Sequence, residues 1–246
     1  MLRFLVDLDV AALQWINGFA RRDPAVDRFI EAWLSLDFLQ GGFWFIFVWW
    51  LWFRRAADPK ADPTLDRFDA VRLLAIVWGS VLVARALQIG LPPRLRPLND
   101  PGLGFVLPYG GQPGVAEHYS SFPSDHAIVY AALATAIWAR YRAAGALCFA
   151  WTLVFASLSR VYGGLHYPGD VVAGVVIGIV YMRALDAVPL PAAAHRWFDG
   201  LLDWQRRHPA AFYCLAVAVT FECMVLFEDV RIVLRFLFKL PAGLLS

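Results

Sequence analysis

Long apolar runs separated by short polar breaks dominate this chain. A bilayer core is crossed by about 20 apolar residues. By that measure runs of spanning length fall at roughly 33–53, 70–91, 125–142, 144–162, 170–188 and 211–229. Residues 5–20 follow a different pattern. Leu5, Leu8, Ala12, Trp15, Ile16 and Phe19 recur at helical spacing along one face, and Asp7 and Asp9 interrupt the run. This predicts a helix lying in the membrane interface. From Val230 to Leu240, Arg231, Arg235 and Lys239 interleave with Ile, Leu and Phe, which predicts an amphipathic tail on the membrane surface rather than a seventh span. The expected architecture is an all-α integral membrane protein. It is a six-transmembrane-helix bundle with an N-terminal interfacial helix and an amphipathic C-terminal tail. No repeat, low-complexity tract or composition shift divides residues 1–246, so one domain is expected, with its chemistry concentrated at about 70–190.

Composition strengthens the membrane reading. The chain is 60% hydrophobic and 17% charged, against about a quarter charged for soluble domains. A net charge of +2 is too small to imply a nucleic-acid partner. Its distribution is more informative. Arg54, Arg55, Lys60, Arg67 and Arg72 surround the first expected connection, Arg140 and Arg142 the third, and Arg183, Arg196, Arg206 and Arg207 the fifth. The positive-inside rule makes these connections cytoplasmic. The loop at 92–123 and the turn at 163–169 then face outward, as expected for a bacterial inner-membrane protein. Arg21, Arg22, Arg28 and the basic tail run against the rule unless interfacial helices hold them at headgroup level. Residues 1–20 lack the continuous apolar stretch of a cleavable signal peptide. Cys148, Cys214 and Cys223 lie inside apolar runs without metal-site spacing, so buried free thiols are expected and zinc is not.

Three polar stretches at the ends of apolar runs carry candidate chemistry, and all fall on the expected outer side. In Ser159-Arg160-Val161-Tyr162-Gly163-Gly164-Leu165-His166-Tyr167-Pro168-Gly169-Asp170, glycines before and after a histidine allow close approach of backbone and ligand. Pro168 can open a helix with Asp170 in its first turn. Asp170 could then hold one imidazole nitrogen of His166 and leave the other as a nucleophile. Arg160 offers a planar fork for phosphate oxygens. An isolated His-x-x-x-Asp is more often a capped helix start, and Arg160 with the glycine turn tips this one towards function. In Ser121-Phe122-Pro123-Ser124-Asp125-His126, the Ser124 hydroxyl and the free N–H groups of a helix start form an anion site. There His126 could protonate a leaving oxygen; plain capping by Ser124 and Asp125 is the alternative. Arg94 and Arg96, in Pro92-Pro93-Arg94-Leu95-Arg96-Pro97, could clamp phosphate or simply anchor headgroups.

Together these stretches resemble the type 2 phosphatidic acid phosphatase superfamily of membrane lipid phosphatases. Its signatures are Lys-x6-Arg-Pro, Pro-Ser-Gly-His and Ser-Arg-x5-His-x3-Asp. The third is complete here; the second has Asp125 for glycine; the first keeps Arg96-Pro97 but has Ile89 at the lysine position. The match spans about 85–170, and the Pro-Ser-Asp-His form looks like that of bacterial undecaprenyl-diphosphate phosphatases. The resemblance implies that His166 attacks phosphorus and forms a phosphohistidine, and that Asp170 orients it. His126 would protonate the departing lipid oxygen and then activate water. Arg96, Arg160, Ser124 and the Asp125 backbone would stabilise phosphate oxygens. It also implies a membrane lipid phosphate as substrate and neither metal nor cofactor. A phosphotransferase on the same fold and a catalytically silent lipid-binding relative are the alternatives. For the missing lysine, Arg85 lies one helical turn before Ile89, and Arg94 competes for the role. The sequence is silent on oligomeric state.

Overall fold

A computed structural model of the chain describes residues 2–36, 38–54, 63–114 and 120–238. The expected loop residues Arg55, Lys60 and Asp62, and Lys239 of the tail, lie outside the described residues, as do the side chains of Arg231 and Arg235. All regular structure among the described residues is helical. The α-helices are α1 (Leu2–Asn17), α2 (Pro24–Ser35), α3 (Phe43–Phe53), α4 (Pro63–Gly90), α5 (Asp125–Arg140), α6 (Arg142–Trp151), α7 (Ser159–Tyr162), α8 (Pro168–Ala187), α9 (Ala192–Arg207), α10 (Pro209–Met224) and α11 (Glu228–Phe238). A π-helical turn, Phe38–Gly42, leads into α3, and another, Thr152–Leu158, joins α6 to α7.

Helix starts follow local chemistry. Asp23 caps α2 by accepting from the Ala25 N–H, and proline at the first turn of α2, α8 and α10 fixes φ where no intrahelical N–H bond is lost. The core is built on α5, whose Ala127, Ile128, Val129, Ala131, Ala132 and Ala134 are almost wholly buried. Its closest neighbour is α8. A Cβ added at Gly178 would sit 2.3 Å from the Ile128 carbonyl oxygen, and one at Gly174 2.8 Å from that of Ser124. Only glycine permits this approach, the small-residue contact expected of helices packed in a membrane.

Helix direction separates the molecule into two ends. At one end Asp66 accepts from Arg54, Arg140 and Tyr141, and Arg72 pairs with Asp186 at 2.5 Å. α4 begins there and, at about 1.5 Å per residue, carries the chain roughly 35 Å to Arg85 and Gln88 at the other end. α5 and α8 run the opposite way to α4, so His126 and Asp170 start where α4 finishes. α9 leaves α8 at 98°.

Two helical segments, Thr64–Gly90 and Arg142–Tyr162, are long and apolar enough to cross a membrane, and the bent pair of α8 and α9 makes a third candidate. Trp44–Phe53 and Pro209–Met224 are apolar but shorter. With these helices the protein is a membrane protein. Each expected run overlaps a helix, but three differ in detail: at 211–229, α10 stops at Met224 and a turn at Leu226 and Phe227 precedes α11. The run at 33–53 is broken, because α2 ends at Ser35 and the π turn with Gly41 and Gly42 intervenes. α4 starts seven residues before its apolar run, since a helix can continue past the apolar boundary. Cys148 and Cys223 are buried free thiols as expected, but Cys214 is exposed on α10.

Candidate active site

The turn between α7 and α8 supplies the central histidine. The Leu165 and His166 N–H groups donate back to the Arg160 carbonyl at 2.9 and 3.3 Å, and Gly164 turns the chain at φ +73°. Leu98 N–H donates to Gly164 O at 3.0 Å and Ser121 N–H to Arg94 O at 2.8 Å, which fastens the loop between α4 and α5 across this turn. The Ser124 N–H meets the Asp170 carbonyl at 3.3 Å, so the starts of α5 and α8 are joined directly.

His166 is fully buried. Its Nδ1 lies 2.7 Å from the Ser121 carbonyl oxygen, which can only accept, so Nδ1 carries the proton and Nε2 keeps its lone pair. Burial holds the His166 pKa well below the usual histidine value; the Arg96 and Arg160 guanidiniums add to the effect, and Asp125 and the Ser121 contact partly oppose it. A neutral imidazole therefore faces a cationic surround, as suits a nucleophile for an anionic group. His166 Nε2 and Ser124 Oγ are both buried and have no hydrogen-bond partner among the described residues.

Arg96 and Arg160 are each 9% exposed. Arg96 Nη1 donates to Leu165 O at 3.3 Å. Burial lowers the Arg96 pKa to about 10, with Arg160 and Arg85 adding to the fall, which leaves it cationic at neutral pH. Arg160 Nη2 donates to Gln40 Oε1 at 2.5 Å, while Gln40 Nε2 donates to Leu34 O at 2.5 Å. Gln40 thus ties Arg160 to the end of α2.

Asp170 does not hold His166 directly. Its Oδ2 is 3.9 Å from Nδ1, a nitrogen already donating to Ser121. The carboxylate turns back over the first turn of α8, accepting from Tyr167 N at 2.8 Å and Ser121 Oγ at 2.5 Å. Asp170 therefore reaches His166 through Ser121, whose carbonyl holds the ring and whose hydroxyl binds the acid. Arg94, expected as a possible phosphate clamp, is committed elsewhere. Nη1 donates to Asp170 at 2.6 Å and Nη2 to Asp9 at 2.8 Å, and the guanidinium stacks 3.6 Å from the Tyr167 ring centroid. Two carboxylates and an aromatic face hold it against the start of α8.

Arg85 does reach the site edge. Its Nη2 donates to Asp125 Oδ2 at 2.9 Å and its Nη1 to Gln88 Oε1 at 2.6 Å. Asp125 also accepts from the backbone N–H and ring Nδ1 of His126, at 2.8 and 2.7 Å. Ile89, at the lysine position of the motif, is 64% exposed. His166, His126, Asp170, Arg160, Arg96, Ser124, Asp125 and Arg85 therefore gather at one end of the bundle. Gln40, Ser121 and Asp9 join them without being expected to. Asp9 alone had a visible signal, an acid inside an apolar helical pattern; its Oδ1 accepts from Gly169 N at 2.6 Å.

An all-helical membrane bundle that gathers two histidines, with arginines and acids around them, at one end defines a membrane protein with a polar, largely buried site at that end. Residues 69–189 match the family model described as PAP2 superfamily. A lipid A 4'-phosphatase of Bacteroides thetaiotaomicron is 39% identical over 187 residues, covering 72% of this chain and 75% of that protein. The chain belongs to the PAP2 superfamily. It is also similar to a lipid A 1-phosphatase of Rhizobium etli, 31% identical over 142 residues (52% of this chain, 57% of that one). A third relative is a putative undecaprenyl-diphosphatase of Escherichia coli, 33% identical over 87 residues (35% and 43%). The chain spans about half the length of the rhizobial lipid A 1-phosphatases it matches. No solved structure matches it significantly.

Proposed function

We propose that this chain is a lipid phosphatase that hydrolyses a lipid phosphomonoester or prenyl diphosphate through a phosphohistidine. The observation carrying the proposal is the buried His166 Nε2, without a hydrogen-bond partner among the described residues, with the Arg96 and Arg160 guanidiniums near enough to act on its ring and the Ser124 Oγ equally unpartnered. In the first step Nε2 bonds to phosphorus as the bond from phosphorus to the lipid oxygen breaks. His126, entering the step as the imidazolium with protons on both nitrogens, gives its Nε2 proton to that oxygen and keeps the one on Nδ1. Water then attacks the phosphohistidine, with His126 taking the water proton, and inorganic phosphate leaves. Arg96, Arg160 and the N–H groups at the start of α5 hold the equatorial oxygens throughout. Relatives named as lipid A phosphatases and an undecaprenyl-diphosphatase support a lipid carrier for the phosphate.

The test is a phosphate-release panel with purified protein and no acceptor, over phosphatidate, phosphatidylglycerol phosphate, lipid A and undecaprenyl diphosphate, with EDTA present. Release from at least one lipid is expected, unchanged by EDTA and inhibited by orthovanadate, which mimics five-coordinate phosphorus on His166. Loss in EDTA restored by Mg2+ would overturn the mechanism. Release only when an acceptor is added would make the protein a phosphotransferase.

The same reading places six spans across an inner membrane, with α1 in the outer interface and the site facing outward. Support comes from the basic residues Arg54, Arg72 and Arg140 at the end opposite the site. In a variant lacking the native cysteines, Gln112→Cys should react with an impermeant maleimide in intact cells. Gly200→Cys on α9 should react only after permeabilisation. The reverse pattern would put the site on the cytoplasmic face.

A further inference from the structure

The chain holds a second histidine–carboxylate pair, and its acid is the residue that departs from the family motif. Asp125 Oδ1 lies 2.7 Å from His126 Nδ1 and 2.8 Å from the His126 N–H. A carboxylate oxygen only accepts, so the ring proton sits on Nδ1 and Nε2 is turned away from Asp125. The remaining oxygen, Oδ2, accepts from Arg85 Nη2 at 2.9 Å. Gln88 completes the frame: its Oε1 accepts from Arg85 Nη1 at 2.6 Å, and its Nε2 donates to the Pro123 carbonyl at 3.0 Å. Two residues on the last turns of α4, Arg85 and Gln88, thus meet the start of α5. Asp125 is 8% exposed, so it stands as a charge within the protein with a fixed partner on each oxygen.

From this geometry we infer that Asp125 is a positioning residue for His126, fixing its tautomer and stabilising the imidazolium that serves as general acid, with Arg85 as its counter-charge. This inference rests on the phosphatase reading above, in which His126 protonates the leaving oxygen. Asp125 bears on His126 by direct contact, whereas Asp170 reaches His166 only through Ser121. Arg85 then has a task other than replacing the missing lysine at phosphate: it keeps Asp125 ionised and aimed. An unpaired arginine in an apolar helix end is costly, and here the acid that orients the catalytic ring removes that cost.

A general acid matters in proportion to how poorly the leaving group departs by itself. The experiment therefore compares kcat/KM, which reports the steps through leaving-group departure, on a short-chain phosphatidate and on p-nitrophenyl phosphate. Asp125→Asn should lower kcat/KM on phosphatidate about 100-fold, while p-nitrophenyl phosphate, whose phenolate needs no proton, should fall by less than about threefold. The Arg85→Gln/Asp125→Asn double variant preserves charge balance and should show the same contrast, which keeps the test valid if Asp125→Asn alone fails to fold. Equal losses on both substrates in the double variant, or none on either, would overturn the role of Asp125. His126→Ala is the control. If it shows the contrast and the Asp125 variants do not, this inference alone fails. If His126→Ala itself lacks the contrast, the phosphatase mechanism fails with it.

Discussion

His166→Ala should reduce phosphate release by about 10⁴-fold or more, because it removes the atom that bonds to phosphorus. His166 has no other evident task. Its Nδ1 makes one hydrogen bond, to the Ser121 carbonyl, and its Nε2 makes none within the described protein. Losing that single bond should cost only about 1 kcal/mol of stability. Thermal unfolding in detergent should therefore shift little while activity disappears. A second readout concerns the intermediate. Acid-labile phosphate trapped on the protein from a labelled substrate should vanish in His166→Ala. It should persist in His126→Ala with p-nitrophenyl phosphate, which needs no proton to form it. Near-normal phosphate release from His166→Ala, or trapped label in it, would remove His166 as nucleophile.

Arg94→Ala should be the most damaging change outside the histidines, chiefly through structure. Arg94 bridges Asp170, fully buried, and Asp9, and it stacks on Tyr167. Its removal strands two carboxylates at the start of α8. Breaking a fully buried pair costs about 3–5 kcal/mol; with Arg94 itself partly exposed, roughly 2–3 kcal/mol is expected. Activity should fall with stability, because Asp170 and Ser121 together hold the His166 ring. Arg94→Lys should recover only part of both, since lysine lacks the fork that reaches two acids at once. Normal unfolding with only a raised KM would instead place Arg94 on the substrate phosphate.

Much of the site could be read from residue order. The spacing from Ser159 to Asp170 placed an arginine, a histidine and an acid around one glycine turn, and the structure puts them there. Which atoms meet could not be read. Asp170 looked like the direct partner of His166, yet capping geometry bends its carboxylate to Tyr167 N and Ser121 Oγ. Arg85 and Arg94 looked like rivals for one phosphate. Each instead faces an acid: Asp125 for Arg85, and Asp170 with Asp9 for Arg94. Gln40 gave no signal, because its partner Arg160 is 120 positions away and the glutamine lies inside the run at 33–53 that reads as one apolar span.

By itself the sequence determined the helical class, the approximate helix positions and the identity of the chemical groups. Those depend on apolar run length and on spacing within a few residues, both of which are local. The tertiary structure decided that residues from α1, the π turn before α3, α4, the loop between α4 and α5, α5 and α7–α8 share one end. It also decided which donor each buried acid takes. Hydrogen bonding over a few ångströms is too selective for a linear pattern to encode, because a buried carboxylate takes whichever donors packing brings within reach. That packing depends on contacts such as Gly178 against Ile128, fifty residues apart in the chain.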